Sequence, residues 1–371
     1  MRVLVAGAGI IGVSIADALA RRGVRVTVLE MRAPGEGASR ASAGLLAPYT
    51  EAEPDAPLLA LGTRSLALFD DFVSRAAEAA GRVIEYARTG TLEVAFDDQE
   101  REPLQRAARW LASASVDHEW LDEAALRSFE PAVSQEARGA LLVRAHGFVG
   151  VRSLVHALAQ SARFHGAVFE SPVELVDVSL TPRGVTARAG AREYEADRVV
   201  LAAGSWSGRI RIRGLSAVPV RPVRGQLLHL GWRETPLPSR VVWSSGCYTV
   251  PWPDGSLLVG ATVEDAGFDE STTAGGVESL VRAVCRLLPA AAASNLVEAR
   301  AGLRPATPDG LPLIGTLPEV PALVFATGHY RNGILLAPLT AQLVERLMCD
   351  ADADAMMGAV APGRFVTFRG A

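Results

Sequence analysis

Lysine is absent from this chain: all 37 of its basic residues are arginine. Without a side-chain primary amine the protein cannot form a Schiff base, anchor pyridoxal phosphate or set a Walker lysine on a nucleotide. Cysteine is scarce. Cys247, Cys285 and Cys349 are odd in number and far apart, which fits neither a disulfide framework nor a zinc site and points to a reducing cytoplasm. The six histidines share no metal-ligand spacing, so no metal is expected. No apolar run approaches the roughly 20 residues of a membrane span. Residues 3–13 are apolar but broken by three glycines and lack a cleavage region, so neither a signal peptide nor membrane attachment is expected. Positive charge is not in excess either. A net charge of -4 leaves no basic face for nucleic acid. What remains, 371 residues at 49% hydrophobic and 21% charged, has the profile of a globular enzyme with room for two domains.

Residues 2–6 read as a buried strand, 10–22 as a helix and 25–30 as a second strand, a βαβ opening. Helical periodicity over 56–80 gives way to strand-like alternation over 82–96. Helices are expected at 102–113, 123–129, 152–165, 277–288 and 333–348. Strands are expected at 140–149, 168–170, 174–180, 185–189, 198–202, 225–230, 241–250, 257–262 and 323–326. The order predicts an α/β fold in which a Rossmann-like nucleotide domain is interleaved with an antiparallel-sheet domain. Segments 1–80, 147–217 and 300–371 are assigned to the first, 81–146 and 218–299 to the second.

Gly7-Ala8-Gly9-Ile10-Ile11-Gly12 lies between the first strand and the first helix. Gly7 permits the tight turn, Gly9 lets a pyrophosphate approach the backbone, and Gly12 lets helix and strand pack closely. The helix N-terminus then offers N–H groups to the anion. Glu30 ends the second strand, where a carboxylate accepts from a ribose diol and repels a 2′-phosphate. The small residues of 38–46 suit a backbone lying against a flat ring. Residues 198–206 form an apolar strand ending in Ala202-Ala203-Gly204, as at the edge of a nucleotide site. Gly204-Ser205-Trp206-Ser207-Gly208 has tryptophan where a nucleophile elbow needs serine, which dismisses a hydrolase.

Two further stretches, Gly302-Leu303-Arg304-Pro305-Ala306-Thr307-Pro308-Asp309-Gly310-Leu311-Pro312-Leu313-Ile314-Gly315 and Gly328-His329-Tyr330-Arg331-Asn332-Gly333-Ile334-Leu335-Leu336-Ala337-Pro338, resemble C-terminal signatures of the glycine oxidases, in the D-amino acid oxidase superfamily. Residues 246–251 and 258–262 are similar to that family's substrate-domain strands. The resemblance spans residues 1 to about 348. It implies an FAD-binding domain holding FAD non-covalently, with the ring between the two domains. It puts Arg304 on the substrate carboxylate, with Tyr248 and Arg331 beside it. For the cofactor it implies Gly7, Gly9, Ile11, Gly12, Glu30, Ser39, Ser42, Ala43, Gly44, Leu45, Val173, Ala203, Gly204 and Trp206, and then Arg304, Asn332, Gly333, Ile334 and Leu335. The helix opening at Gly333 would direct its positive end at the pyrimidine edge of the ring. His329 is read as structural.

The implied reaction oxidises the C–N bond of glycine or an N-substituted glycine. It yields glyoxylate, an amine or ammonia, and, with molecular oxygen, hydrogen peroxide. A dehydrogenase passing electrons to a quinone or carrier is the alternative. Two departures bear on substrate size: Gly246 stands where these oxidases carry histidine, and Val263 where they carry methionine. Both remove bulk and leave room for an N-substituent. The related sarcosine oxidases use a lysine over the flavin and attach it through a cysteine near the C-terminal motif. This chain has no lysine, and no cysteine between Cys285 and Cys349. Thiamine biosynthesis and secondary metabolism both suit such an enzyme, and self-association into a homo-oligomer stays open.

Overall fold

The computed structural model describes residues 1–369 apart from residues 52, 182–183, 235 and 351–353. At its centre is a six-stranded sheet in the order Leu313–Gly315, Leu323–Thr327, Arg198–Leu201, Arg2–Ala6, Arg25–Leu29, Val168–Glu170. Five strands are parallel, and the Leu313–Gly315 edge is antiparallel. A parallel sheet needs cover on both faces, which explains why Val3, Leu4, Val5 and Ala6 form an unbroken apolar run. The helices Ile10–Arg21, Val151–Phe164 and Gly333–Cys349 cover one face. A four-stranded sheet of residues 177–212 covers the other, through Val178, Val185 and Ile212 against Leu4, Val199 and Phe325.

The second body is an eight-stranded sheet: Asn295–Ala306, Arg221–Gly231, Ser256–Gly260, Tyr248–Pro251, Val241–Trp243, Thr91–Ala95, Gly139–Val143, His118–Leu121. All its pairings are antiparallel except Val241–Trp243 with Thr91–Ala95. That one parallel pairing joins two segments about 150 residues apart into a single sheet. The helix Ala274–Leu287 packs its buried Leu280, Val284 and Leu287 into the same core.

Several elements differ from the sequence reading. Asn295–Ala306 is a 12-residue strand and belongs wholly to the eight-stranded sheet, so the division placed at residue 300 falls inside it. Its first three residues are exposed, its middle half-buried and its end largely buried, which erased the period-2 signal. Charged Arg192–Ala196 is likewise a strand. The strand expected over 241–250 is a hairpin, because the Ser244 N–H donates to the Cys247 carbonyl at 2.8 Å and turns the chain there. That over 140–149 also breaks in two, Gly139–Val143 and Gly147–Val149.

Candidate active site

One large cavity, about 420 Å³, opens where the carboxyl ends of Arg2–Ala6, Arg25–Leu29 and Arg198–Leu201 meet the eight-stranded sheet. Its nucleotide end is shaped by close backbone approach. Gly7 has φ +99°, and a Cβ there would lie 2.5 Å from the Ala202 carbonyl oxygen. A Cβ on Gly12 would sit 1.9 Å from the Gly7 carbonyl oxygen, so only glycine lets the first helix press against the turn. Gly9 caps that helix without a side-chain bond, and the buried Ser39 hydroxyl instead accepts the Ile10 N–H at 3.0 Å. The Glu30 carboxylate lines the cavity while accepting the N–H groups of Ala8 (2.6 Å) and Arg32 (2.8 Å). Trp206 closes this end under the Arg32 guanidinium, 4.9 Å from its ring, with Phe268 at 5.8 Å.

The substrate end is built around Arg304. It lies on the buried half of Asn295–Ala306, where Gly225 on the neighbouring strand leaves a gap. A Cβ on Gly225 would stand 2.2 Å from Arg304 Nη2, so the guanidinium occupies space that only glycine vacates. Arg304 Nη1 donates to the carbonyls of Thr262 (2.9 Å) and Arg224 (3.3 Å). Among the described residues no carboxylate pairs with it. Burial pushes its pKa below the usual guanidinium value, with Tyr248 working in the opposite direction. A cation held by two carbonyls with the rest of its fork free is an anion site.

Tyr248 lines the same end, and burial raises its phenol above the usual tyrosine value, keeping it a proton donor. Arg331, by contrast, is already engaged: its Nη2 meets Glu51 Oε1 at 3.0 Å. Glu51 lines the cavity too, and burial raises its carboxyl against the pull of Arg331 and Arg304. Cys247 reaches the wall as a thiol whose pKa burial raises to about 12, which leaves it no nucleophile. His329 is buried, bonded through Nε2 to Thr340 Oγ1 at 3.0 Å, and burial lowers its pKa to about 3, so it is neutral. Gly246 and Val263 both lie at the rim. Val263 is 58% exposed, and a Cβ on Gly246 would point toward Ala283, 3.1 Å from its Cβ.

Of the residues singled out in the sequence, Gly7, Gly9, Ile11, Glu30, Ser39, Ser42, Ala43, Leu45, Val173, Ala203, Gly204 and Trp206 line this cavity. So do Gly246, Tyr248, Val263, Arg304, Arg331, Asn332, Gly333, Ile334 and Leu335. Gly12 and Gly44 do not; they pack behind the wall, Gly44 with φ +76° against the Val149 carbonyl. Glu51, Gly225 and Thr262 escaped the sequence reading. A glycine within the apolar run 225–230 was a signal of close approach; Glu51, in the four-residue helix Pro48–Glu51, carried none.

The residues fit a flavin dinucleotide. Two helices, Ile10–Arg21 and Gly333–Cys349, begin at this cavity and neither has a side-chain cap from its N-cap residue. The first N-terminus, in its glycine cradle, suits a diphosphate; the second offers partial positive charge to an acceptor-rich ring edge. Among the described residues no cluster of histidine, cysteine and carboxylate side chains is arranged to hold a metal, and no helix is long and apolar enough to cross a membrane.

Comparison with known proteins agrees with this geometry. The model of the DAO family, FAD dependent oxidoreductase, matches residues 2–347. A glycine oxidase of Geobacillus kaustophilus is 34% identical over 93% of this chain and 92% of its own. The crystal structure of that organism's glycine oxidase superposes with a TM-score of 0.91, covering 95% of this chain and 96% of that one. The bifunctional protein ThiO/ThiG of Synechocystis is 34% identical over 98% of this chain, which spans 54% of it. Iminodiacetate oxidase from Chelativorans has a TM-score of 0.87 at 26% identity, covering 97% of this chain and 99% of that one.

Proposed function

Because the chain belongs to the DAO family of FAD-dependent oxidoreductases, we propose that it oxidises the C–N bond of glycine or an N-substituted glycine to an imine, with oxygen as final electron acceptor, and that water hydrolyses the imine to glyoxylate and ammonia or a primary amine. The observation that carries this reading is Arg304, a guanidinium with no carboxylate partner among the described residues, held over Gly225 at the end of a cavity that fits a flavin dinucleotide. A carboxylate entering there meets a charge-assisted fork and the protonated Tyr248 phenol. The substrate nitrogen then faces Glu51 and Arg331, and the exposed rim at Gly246 and Val263 leaves an N-substituent a way out.

FAD, when bound, supplies the acceptor for the α-carbon hydride and passes the electrons to oxygen, giving hydrogen peroxide. The chain's own work is to bind and orient the substrate, for a reaction whose redox chemistry resides in the cofactor. The iminodiacetate oxidase likeness supports a substituted nitrogen. Turnover of glycine, sarcosine and longer N-alkylglycines, with glyoxylate and peroxide quantified, tests the reading. Equimolar glyoxylate and peroxide are expected. Glyoxylate formed only with an added quinone would replace oxygen by a carrier, and no glyoxylate from any of them would overturn the substrate class.

A further inference from the structure

Three acidic residues line the cavity. Glu30 and the exposed Glu174 belong to the nucleotide end, where the Val173 N–H donates to the Glu30 carbonyl. Glu51 alone stands at the substrate end. It is held there by Arg331 at 3.0 Å, with only 14% of its side chain exposed, and it is electrostatically coupled to both Arg304 and Tyr248. The Arg304 cation and the Glu51 carboxylate therefore line one cavity and feel each other's charge. That is a dipolar site, and free amino acids are dipolar ions.

We propose that Glu51 is the ligand and proton acceptor of the substrate nitrogen. Arg304 and Glu51 capture the amino acid as its zwitterion, and an N–H proton of the ammonium passes to a Glu51 carboxylate oxygen, leaving a neutral amine with its lone pair restored. The inference rests on reading this site as amine-oxidising. Its chemical need is direct: an ammonium has no lone pair to assist loss of hydride from the adjacent carbon. An amine of pKa about 10 is neutral in only about one molecule in a thousand at pH 7. An enzyme that waits for that form forfeits most of its substrate.

The surroundings make Glu51 a workable acceptor. Burial raises the Glu51 carboxyl so that it can hold a proton, while the paired Arg331 and the nearby Arg304 pull it toward the ionised form. Tyr248 is a neutral phenol and competes for no charge. On the neighbouring strand Glu93, bound by the Thr50 hydroxyl at 2.7 Å, has a pKa that burial raises to about 7, with Glu51 adding to the rise. Below about pH 7 Glu93 is mostly protonated and adds no second negative charge beside Glu51.

The test uses the FAD-loaded enzyme with sarcosine and with glycolate, a carboxylate that carries no ammonium. For the wild type, kcat/KM should level off well below the amine pKa. For Glu51→Gln it should fall about a thousandfold at pH 7 and climb tenfold per pH unit until the amine itself titrates. Glu51→Asp should keep the wild-type shape. Flavin absorbance titrations read binding apart from turnover: glycolate should bind at least tenfold tighter to Glu51→Gln than to wild type. If the glutamine variant fails to hold FAD, the wild type alone decides, since its preference for zwitterions over glycolate should vanish as Glu51 is protonated at low pH. Parallel pH profiles for wild type and Glu51→Gln, or a preference unchanged by pH, would overturn the role of Glu51 alone. A wild type that oxidises no amino acid would overturn the amine-oxidising reading and this inference with it.

Discussion

Gly225→Ala is a one-methyl perturbation that separates the account from an ordinary packing argument. Gly225 has no left-handed backbone angle, so alanine is conformationally tolerated. The new Cβ would stand 2.2 Å from Arg304 Nη2 and 2.3 Å from its Cζ, against an ordinary contact of about 3.5 Å or more. The guanidinium must therefore move by more than about 1 Å. It is the far end of a flexible side chain, so the fold can yield there cheaply. Substrate capture cannot, because a misplacement of that size costs on the order of 100-fold. We expect kcat/KM for glycine or sarcosine to fall about 100-fold, equivalent to about 3 kcal/mol, mainly through KM. FAD content and Tm should stay close to wild type. Gly302→Ala, on the partner position across the strand pair, is the contrast. Its Cβ would meet the Ala41 Cβ at 2.6 Å beside the Ala38 backbone, so FAD retention should suffer. A Gly225→Ala enzyme with normal kcat/KM would refute the placement of Arg304 as the anchor.

Arg304→Ala should keep FAD and lose about a hundredfold in apparent substrate affinity, with Arg304→Lys recovering only part, because an ammonium lacks the planar fork; steady-state kinetics on both variants checks this. Acid precipitation should leave a colourless pellet and a yellow supernatant with the mass of FAD, since Cys247 is a protonated thiol and the chain has no lysine; a yellow pellet would mean a covalent link. Gly246→His with Val263→Met should spare glycine and penalise N-alkylglycines increasingly with length, by up to ~0.8 kcal/mol per methylene that the wild-type rim buries; equal loss for all substrates would rule out a rim that selects on the N-substituent.

The nucleotide end was legible in the sequence because its determinants are local. Gly7, Gly9 and Gly12 act within one turn, and Glu30 follows at the end of the next strand. The C-terminal motifs placed Arg304, Arg331 and Gly333 together because two signatures carry them. The sheet carrying Arg304 was less legible: Asn295–Ala306 grades from three exposed residues to a buried end and shows no alternation. The hairpin around Gly246 was hidden because both of its arms are apolar and its turn, Ser244 to Cys247, lacks the usual Asn-Gly marker. Glu51 was invisible for a different reason. Its significance comes from Arg331, 280 residues away, and from its burial, neither of which leaves a local pattern.

The central claim is that this cavity brings a small amino acid's α-carbon to bound FAD by way of Arg304. Anaerobic mixing of the holoenzyme with glycine, sarcosine and longer N-alkylglycines, followed by flavin absorbance, tests it most directly. The account predicts bleaching of the oxidised flavin band by at least one of these amines, saturable in amine, and shifted to about 100-fold higher concentration in Arg304→Ala. Bleaching by none of them, or bleaching that Arg304→Ala leaves unchanged, would contradict it.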